Sequence, residues 1–260
     1  MVDVSDECAF VYESFANLVC TAMNADPKLQ SMLRRDAESN YSSTVAVEYR
    51  RADELAKESV SHAGKCEIIR TLSRRFDGPI MLLDLGCGTG RYFHCAENVQ
   101  AVIGLDPSEH MLWQARNPVV GGNRKVHLVR STLHEAAFVR ESFHLAICVG
   151  VLGDWCRLDD VILRRVADML RKDGVFFCSV VEYQPAPVTS KRRIAAAIKP
   201  FLFGPARRYV DFRLRQFTMT EDRVRDLGRA YFDQVQITKW ESPTSRIDLH
   251  CVMAHPISSW

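Results

Sequence analysis

The apolar positions of the chain fall into two regimes. Over residues 1 to about 75 they are scattered among Ala, Glu, Lys, Arg and Leu, with few breakers besides Asp26-Pro27 and a serine-rich patch near 39–44. That pattern predicts a mainly helical amino-terminal cap. From Gly78 onward, short apolar runs alternate with amphipathic segments. Ile80–Asp84, Ala101–Asp106, Lys125–Val129, Phe143–Val149 and Val175–Val181 read as strands. The nearly unbroken apolar character of Phe143–Val149 suits a parallel sheet covered on both faces. Between the strands, Tyr92–Asn98 and Ser108–Asn117 predict helices. Asp159–Gly174 predicts a better-signalled one, with acids at its start, apolar residues at helical spacing, bases at its end and a glycine stop.

The alternation breaks over residues 184–216, which open on Pro185-Ala-Pro187. A helix near 220–230 then precedes two strands, Gln234–Trp240 and Ile247–Ala254, joined by a Ser-Pro-Thr-Ser turn. A closing strand pair without an intervening helix predicts one antiparallel member in an otherwise parallel sheet. The reading is one α/β domain: residues 1–75 as its helical cap, 76–260 as its core and 184–216 as an insertion.

Composition agrees with this. The chain has 260 residues, of which 47% are apolar and 25% charged, enough for a sizeable core. Its longest nearly uninterrupted apolar run, Leu145–Gly153, is about half of the ~20 residues a membrane-spanning helix needs, so no transmembrane segment is expected. The start, Met-Val-Asp-Val-Ser-Asp-Glu, is acidic and lacks the apolar stretch of a secretory signal, which predicts a cytoplasmic protein. Nine cysteines, at 8, 20, 66, 87, 95, 148, 156, 178 and 251, include no C-x-x-C pair, and they read as reduced thiols packed among apolar neighbours. The eight histidines show no H-E-x-x-H or comparable ligand spacing, so no metal is expected. A net charge of +2 does not itself imply a nucleic-acid partner.

Candidate chemistry begins after the first strand. Gly86-Cys-Gly88-Thr-Gly90-Arg91 places glycines at alternate positions in the turn out of that strand, so a ligand can lie against bare backbone. A dinucleotide fingerprint would need its last glycine where Arg91 stands. Asp106, 22 residues after Asp84, ends the next strand. A carboxylate there can accept hydrogen bonds from the ribose hydroxyls of a nucleoside, and Met111 can rest against its base. A plainer reading makes Asp106 the cap of the following helix and Met111 part of the core.

Leu83-Asp-Leu-Gly-Cys-Gly-Thr-Gly-Arg91 and Val102-Ile-Gly-Leu-Asp-Pro-Ser-Glu-His-Met-Leu112, with Ala115-Arg116, resemble motif I and the following acidic motif of the class I S-adenosylmethionine-dependent methyltransferases. The nearest group is the one that includes ubiquinone and menaquinone biosynthesis enzymes and many natural-product small-molecule methyltransferases. The resemblance covers residues 45–183, and the last two strands loosely. It implies a Rossmann-like seven-stranded sheet of order 3-2-1-4-5-7-6, with strand 7 antiparallel and helices on both faces. S-adenosyl-L-methionine would lie over the carboxyl ends of strands 1, 2 and 4. Carried over, Asp84, Gly86, Cys87, Gly88 and Gly90 hold the methionine half and Asp106 the ribose. Pro107, Met111, Thr132, Leu133 and Val149 complete the cofactor-binding set.

Tyr49 resembles the second tyrosine of the family's amino-terminal Y-D-x-x-A-x-x-Y pattern, which closes over the cofactor. The first is out of register, with Ser42 in its place and Tyr41 one residue early. Where the family has Gly-Asp before the adenine, this chain has Ser131-Thr132-Leu133, leaving adenine recognition to the Thr132 hydroxyl or to backbone groups. Where it has Phe-Asp at the start of strand 4, this chain has Phe143-His144, a change that bears on packing.

Methyl transfer from a sulfonium is an in-line displacement by an already activated donor. Alignment and exclusion of water therefore supply much of the catalysis, and a base helps if the acceptor is a hydroxyl or a protonated amine. The segment Gly150-Val-Leu-Gly-Asp154-Trp155 resembles the family's V-L-x-H stretch beside the methyl group. That makes Asp154 the leading candidate for a base or substrate anchor, its alternative being a helix cap or solvent-facing acid. His134 and Glu182 are further candidates, and Trp155 is a candidate pocket wall or core residue.

Residues 188–216 carry eight basic side chains against the single acid Asp211, interleaved with Phe201, Phe203, Tyr209 and Phe212. This insertion reads as a lid over an anionic or amphiphilic acceptor, a membrane-surface helix, a contact for nucleic-acid backbone, or simply a solvated helix. The expected activity is methylation of an oxygen, nitrogen or carbon of a small-molecule metabolite. Methylation of tRNA or another RNA is the rival enzymatic reading, although no Asn/Asp-Pro-Pro-aromatic motif accompanies it. A non-catalytic methyltransferase-like partner subunit is the rival of another class.

Overall fold

A computed structural model describes residues 41–56, 59–118, 125–136, 138–153, 156–182, 217–241 and 247–257. Its elements, in chain order, are α1 (Ser43–Ala56), α2 (Val60–Ser73), β1 (Ile80–Leu85), β2 (Val99–Asp106), α3 (Glu109–Ala115) and β3 (Lys125–Arg130). They continue with β4 (Phe143–Leu152), α4 (Asp160–Met169), β5 (Leu170–Val181), α5 (Glu221–Arg229), β6 (Phe232–Glu241) and β7 (Ile247–Pro256). The strands form one sheet of order β3-β2-β1-β4-β5-β7-β6. Each neighbouring pair from β3 to β5 is parallel, and β7 runs antiparallel to both β5 and β6. Both the strand order and the single antiparallel member agree with the sequence reading.

The central strands owe their place to apolar residues on both of their faces. Because successive side chains point to opposite faces, they feed two separate cores. Leu82, Leu145, Ile147 and Phe177 join α2 residues Cys66, Ile69 and Leu72 on one face. Leu83, Ala146, Cys148 and Phe176 meet α4 residues Ile162, Leu163 and Val166 on the other. Side-chain caps fix where the helices start: Ser59 accepts from His62 N, Ser108 from Met111 N, Asp159 from Ile162 N and Thr220 from Arg223 N. His144 is more than filler. Its Nδ1 accepts the Met81 amide at 3.1 Å, and burial, with Arg171 nearby, holds its pKa below the ordinary value so that the ring stays neutral.

The structure departs from the sequence reading at three places. Residues 92–98, expected as helix, are turns closed by short-range bonds such as Phe93 N to Gly90 O and Cys95 N to Tyr92 O. The helix expected to reach Gly174 ends at Met169, because Leu170 pairs with Phe143 and draws the chain into the sheet. The bases Arg171 and Lys172 therefore open β5 rather than close α4. Gly174 belongs to a tight bulge there, where a Cβ would stand 2.7 Å from Arg171 O. Finally, α2 packs on the turns around residue 95, bringing the Cα atoms of Cys66 and Cys95 to 4.8 Å with the two sulfurs joined as a disulfide. Cys87, Cys148, Cys156, Cys178 and Cys251 are buried and take no part in it.

Residues 1–40 of the expected cap and the whole 184–216 insertion lie outside the described residues. Among the described residues, no helix is long and apolar enough to cross a membrane.

One buried group gives the fold a dependence on pH. His250 of β7 stacks on Trp240 with ring centroids 5.9 Å apart. Burial, aided by Lys65 and opposed by Asp248, lowers its pKa from 6.5 to about 4. Between those values the unfolded chain takes up a proton that the folded chain refuses, so this contribution to stability falls as pH drops and is fully lost below the folded value. Relative to His250→Gln, the parent chain will therefore lose stability between about pH 7.5 and about pH 4.5, as read by urea unfolding at each pH. A stability difference that does not change with pH would refute the assignment.

Candidate functional site

The site forms where β1, β2 and β4 end side by side. Register pairs Asp84 with Gly104 of β2 and with Ile147 of β4, so the loop leaving β1 lies beside the ends of its two neighbours. Gly86, Gly88 and Gly90 all have positive φ, at 76°, 53° and 81°, which explains glycine at each. They are not equivalent. A Cβ on Gly86 would stand 2.4 Å from Val151 Cγ2, and one on Gly90 2.7 Å from the Phe93 ring, whereas one on Gly88 would meet nothing within 4 Å among the described residues. The outer glycines let the protein pack against itself, and the middle one faces open space.

Asp106 ties the loop to the next helix. Its Oδ2 accepts the Gly88 amide at 3.0 Å and its Oδ1 the Ser108 amide at 2.9 Å. Asp84 is 2% exposed, and its Oδ2 has no hydrogen-bond partner among the described residues. Burial, with the Asp106 carboxyl nearby, pushes Asp84 up to about 8. Burial also raises Asp106 to about 6, against the stabilising pull of the Ser108 and Gly88 amides. Two acids thus sit close together at the bottom of the loop, both held toward their neutral forms.

The other sequence candidates divide into those the structure brings here and those it engages elsewhere. Tyr49 lies on α1 with its ring 5.6 Å from that of Tyr41, edge to face. The Tyr41 carbonyl accepts from the Ser108 hydroxyl at 3.3 Å, so the out-of-register tyrosine also reaches the site. Pro107 follows Asp106 directly, and Met111 is 3% exposed in the first turns of α3. Leu133 and Val149 are both buried. The amides of Gly86 and Cys87 are used by the Leu105 carbonyl. The Cys87 side chain packs in the core, where burial, then the charges of Asp106 and Asp84, push its thiol up.

The Thr132 hydroxyl donates to Glu135 Oε2 at 3.0 Å and accepts the Glu135 amide, so it is already committed to its own turn. His134 Nε2 lies 2.9 Å from Asp159 Oδ2, the carboxylate that caps α4. Burial disfavours the charged form of Asp159, but the His134 and Ile162 bonds outweigh it and hold the carboxyl below its usual range. Glu182 pairs with Lys239 at 2.6 Å. Asp154 and Trp155 lie outside the described residues, just beyond Gly153.

Three contacts around the site escaped the sequence reading. Asp53 of α1, 4% exposed, accepts from the Thr89 hydroxyl and from Nε and Nη2 of Arg91. Arg50, one turn earlier, donates to the Thr89 carbonyl. At the far edge, the Ser179 hydroxyl of β5 accepts the Gly150 amide at 2.9 Å, and Gly150 has φ 75° with no atom of the described residues within 4 Å of where a Cβ would stand. The only local hint of Asp53 was its place one turn after Tyr49 on the same helix face.

Residues 82–174 match the family described as a methyltransferase domain. No protein of curated function matches the chain in sequence. Among solved structures, the chain is similar to Burkholderia thailandensis 1,6-didemethyltoxoflavin-N1-methyltransferase with bound 1,6-didemethyltoxoflavin and S-adenosylhomocysteine. The identity is 17% and the TM-score 0.55, over 91% of this chain and 93% of that one. It is also similar to Haemonchus contortus phosphoethanolamine N-methyltransferase 2 in complex with S-adenosyl-L-methionine, at 12% identity and a TM-score of 0.60, over 88% of this chain and 60% of that longer one. At such identities the likeness establishes architecture: this is the Rossmann-like fold of the class I methyltransferases.

The unequal glycines make a direct test. Gly88→Ala adds only left-handed backbone strain, about 1–2 kcal/mol. Gly86→Ala adds to that strain an overlap with Val151 of about 1–3 kcal/mol. Urea unfolding will therefore show Gly86→Ala as clearly the less stable. Equal losses would mean that the loop does not pack as described.

Proposed function

We propose that the chain is an S-adenosyl-L-methionine-dependent methyltransferase acting on an oxygen, nitrogen or carbon of a small molecule, with an anionic or amphiphilic acceptor favoured by the basic 188–216 insertion. The observation that carries the reading is the buried Asp84 oxygen without a partner among the described residues, set beside backbone that these leave open at Gly88 and Gly150. A buried carboxyl in that state favours a cation, and the proposed cofactor carries two cationic groups on its amino-acid half. When bound, it supplies a methyl group already activated on sulfur.

The residues present fit that group. Asp84 balances its positive charge, while the glycine loop lets it lie against main chain. Each Asp106 oxygen accepts one amide and keeps a lone pair for a ribose hydroxyl. Met111 and Leu133 offer apolar contact to the base. With the Thr132 hydroxyl occupied by Glu135, recognition of the adenine amino group falls to backbone carbonyls. Tyr49 and Tyr41 on the α1 side help exclude water. For the acceptor, Asp154 stands in sequence just past the open Gly150 position as base or anchor. His134, oriented by Asp159, is the second candidate base. The two neighbours described above are named for small-molecule acceptors and for the cofactor or its demethylated product, which supports both halves of the reading.

Calorimetric titration with S-adenosyl-L-methionine at about pH 7 tests the cofactor half. Below its raised value of about 8 the free Asp84 carboxyl holds a proton, and a bound cation favours the carboxylate, so binding expels that proton. The measured heat will therefore vary with the ionisation enthalpy of the buffer. Asp84→Asn will remove that variation and weaken binding about tenfold or more. No binding at millimolar cofactor would refute the proposal. Transfer of a labelled methyl group into a metabolite extract then identifies the acceptor, and Asp154→Asn with unchanged turnover at every pH would dismiss Asp154 as a base.

A further inference from the structure

On the far side of the glycine loop, four side chains of metal-ligand type converge without any part in the pocket. His62 and Cys66 lie four residues apart on α2, hence on one helical face. His94 and Cys95 are adjacent in the turns that follow the loop. Their ligand atoms all lie within 4.8 Å of one another. We propose that these four residues form a zinc site that fastens α2 to the turns after the glycine loop.

Three nitrogen–sulfur distances lie close to tetrahedral edges, although the two sulfurs are here joined to each other. His62 Nε2 is 3.4 Å from Cys66 Sγ, and His94 Nε2 is 3.9 Å from Cys66 Sγ and 3.7 Å from Cys95 Sγ. With zinc–nitrogen bonds of about 2.0–2.1 Å and zinc–sulfur bonds of about 2.3 Å, a tetrahedral nitrogen–sulfur edge is about 3.6 Å. The environment suits it as well. Cys66, 5% exposed, and Cys95, fully buried, belong to an apolar cluster, and His62 is 6% exposed. Two buried thiolates and a divalent cation sum to no net charge, which removes the penalty of burying either alone. The His62 ring stacks on Tyr92 at 5.3 Å and lies 5.8 Å from the His94 ring, which holds the imidazole in place. Four protein ligands leave no open position, so the role is structural rather than catalytic. The place is apt: residues 92–98 lack the helix that would otherwise order them.

The Cys66–Cys95 bond is the oxidised form of the same cluster. A dithiol reductant gives it two electrons and two protons and leaves as its own disulfide. Zinc then takes both sulfurs as thiolates and releases the two protons to solvent.

The test uses the full chain, reduced with a dithiol, stripped of metal by a chelator and titrated with cobalt(II). The expected result is a thiolate-to-cobalt charge-transfer band with the visible bands of tetrahedral cobalt, saturating at about one equivalent and bleached by zinc. Cys95→Ser will lose the charge-transfer band or bind far more weakly, while Cys156→Ser, a buried cysteine elsewhere, will keep it. A reduced parent chain that gives no such band overturns the proposal and leaves the disulfide as the whole role of the pair. So does a Cys95→Ser chain that binds cobalt as the parent does. If Cys95→Ser does not fold, the parent titration decides alone, and neither readout needs methyl transfer or cofactor binding.

Discussion

The buried carboxylate of Asp53 is the contact on which the pocket depends. It leaves water to sit under the glycine loop, where it accepts from the Thr89 hydroxyl and the Arg91 guanidinium. Burying a lone carboxylate costs several kcal/mol, so α1 and the loop gain from docking together and lose from docking apart. Arg50 adds a bond to the Thr89 carbonyl from the same helix. Glycines that are free to take many shapes in isolation are thereby held in one. Arg91, which stands where a dinucleotide-binding turn would want glycine, is part of what holds them.

With the loop fixed, the electrostatics of its floor follow. Asp84 and Asp106 end adjacent strands, and neither can move away from the other. Burial raises both, and the charge of Asp106 raises Asp84 further. Asp106 is eased by two backbone amides, whereas Asp84 keeps an oxygen without a partner among the described residues. Such a pair is poorly suited to an anion and well suited to a ligand with positive charge at one end and sugar hydroxyls at the other.

The central strands were legible because a strand buried on both faces shows itself in composition alone, as Phe143–Val149 does; their order followed from the methyltransferase resemblance, and the antiparallel β7 from a closing strand pair with no helix between. The glycine loop and Asp106 were legible because their spacing is local. What was not legible depended on partners far along the chain. Asp53 meets Thr89 across 36 residues, and nothing near Asp53 in sequence marks it. Helical spacing suggested that α4 would run on through Arg171 and Lys172, but pairing of Leu170 with Phe143 outweighed that local preference. The helix expected over 92–98 gives way to turns in which the Phe93 ring packs where a Cβ of Gly90 or Gly104 would otherwise stand. The His62, Cys66, His94 and Cys95 cluster was missed for the same reason: each half is too short to signal, and only the fold unites them.

Because α1 grips the loop from outside while a ligand would grip it from within, the two events share one free energy. Any factor by which α1 docking tightens ligand binding must be returned as the same factor by which ligand tightens α1. For the proposed cofactor α1 is thus a coupled element: whatever loosened its hold on the loop would weaken binding by the same factor without touching the ligand.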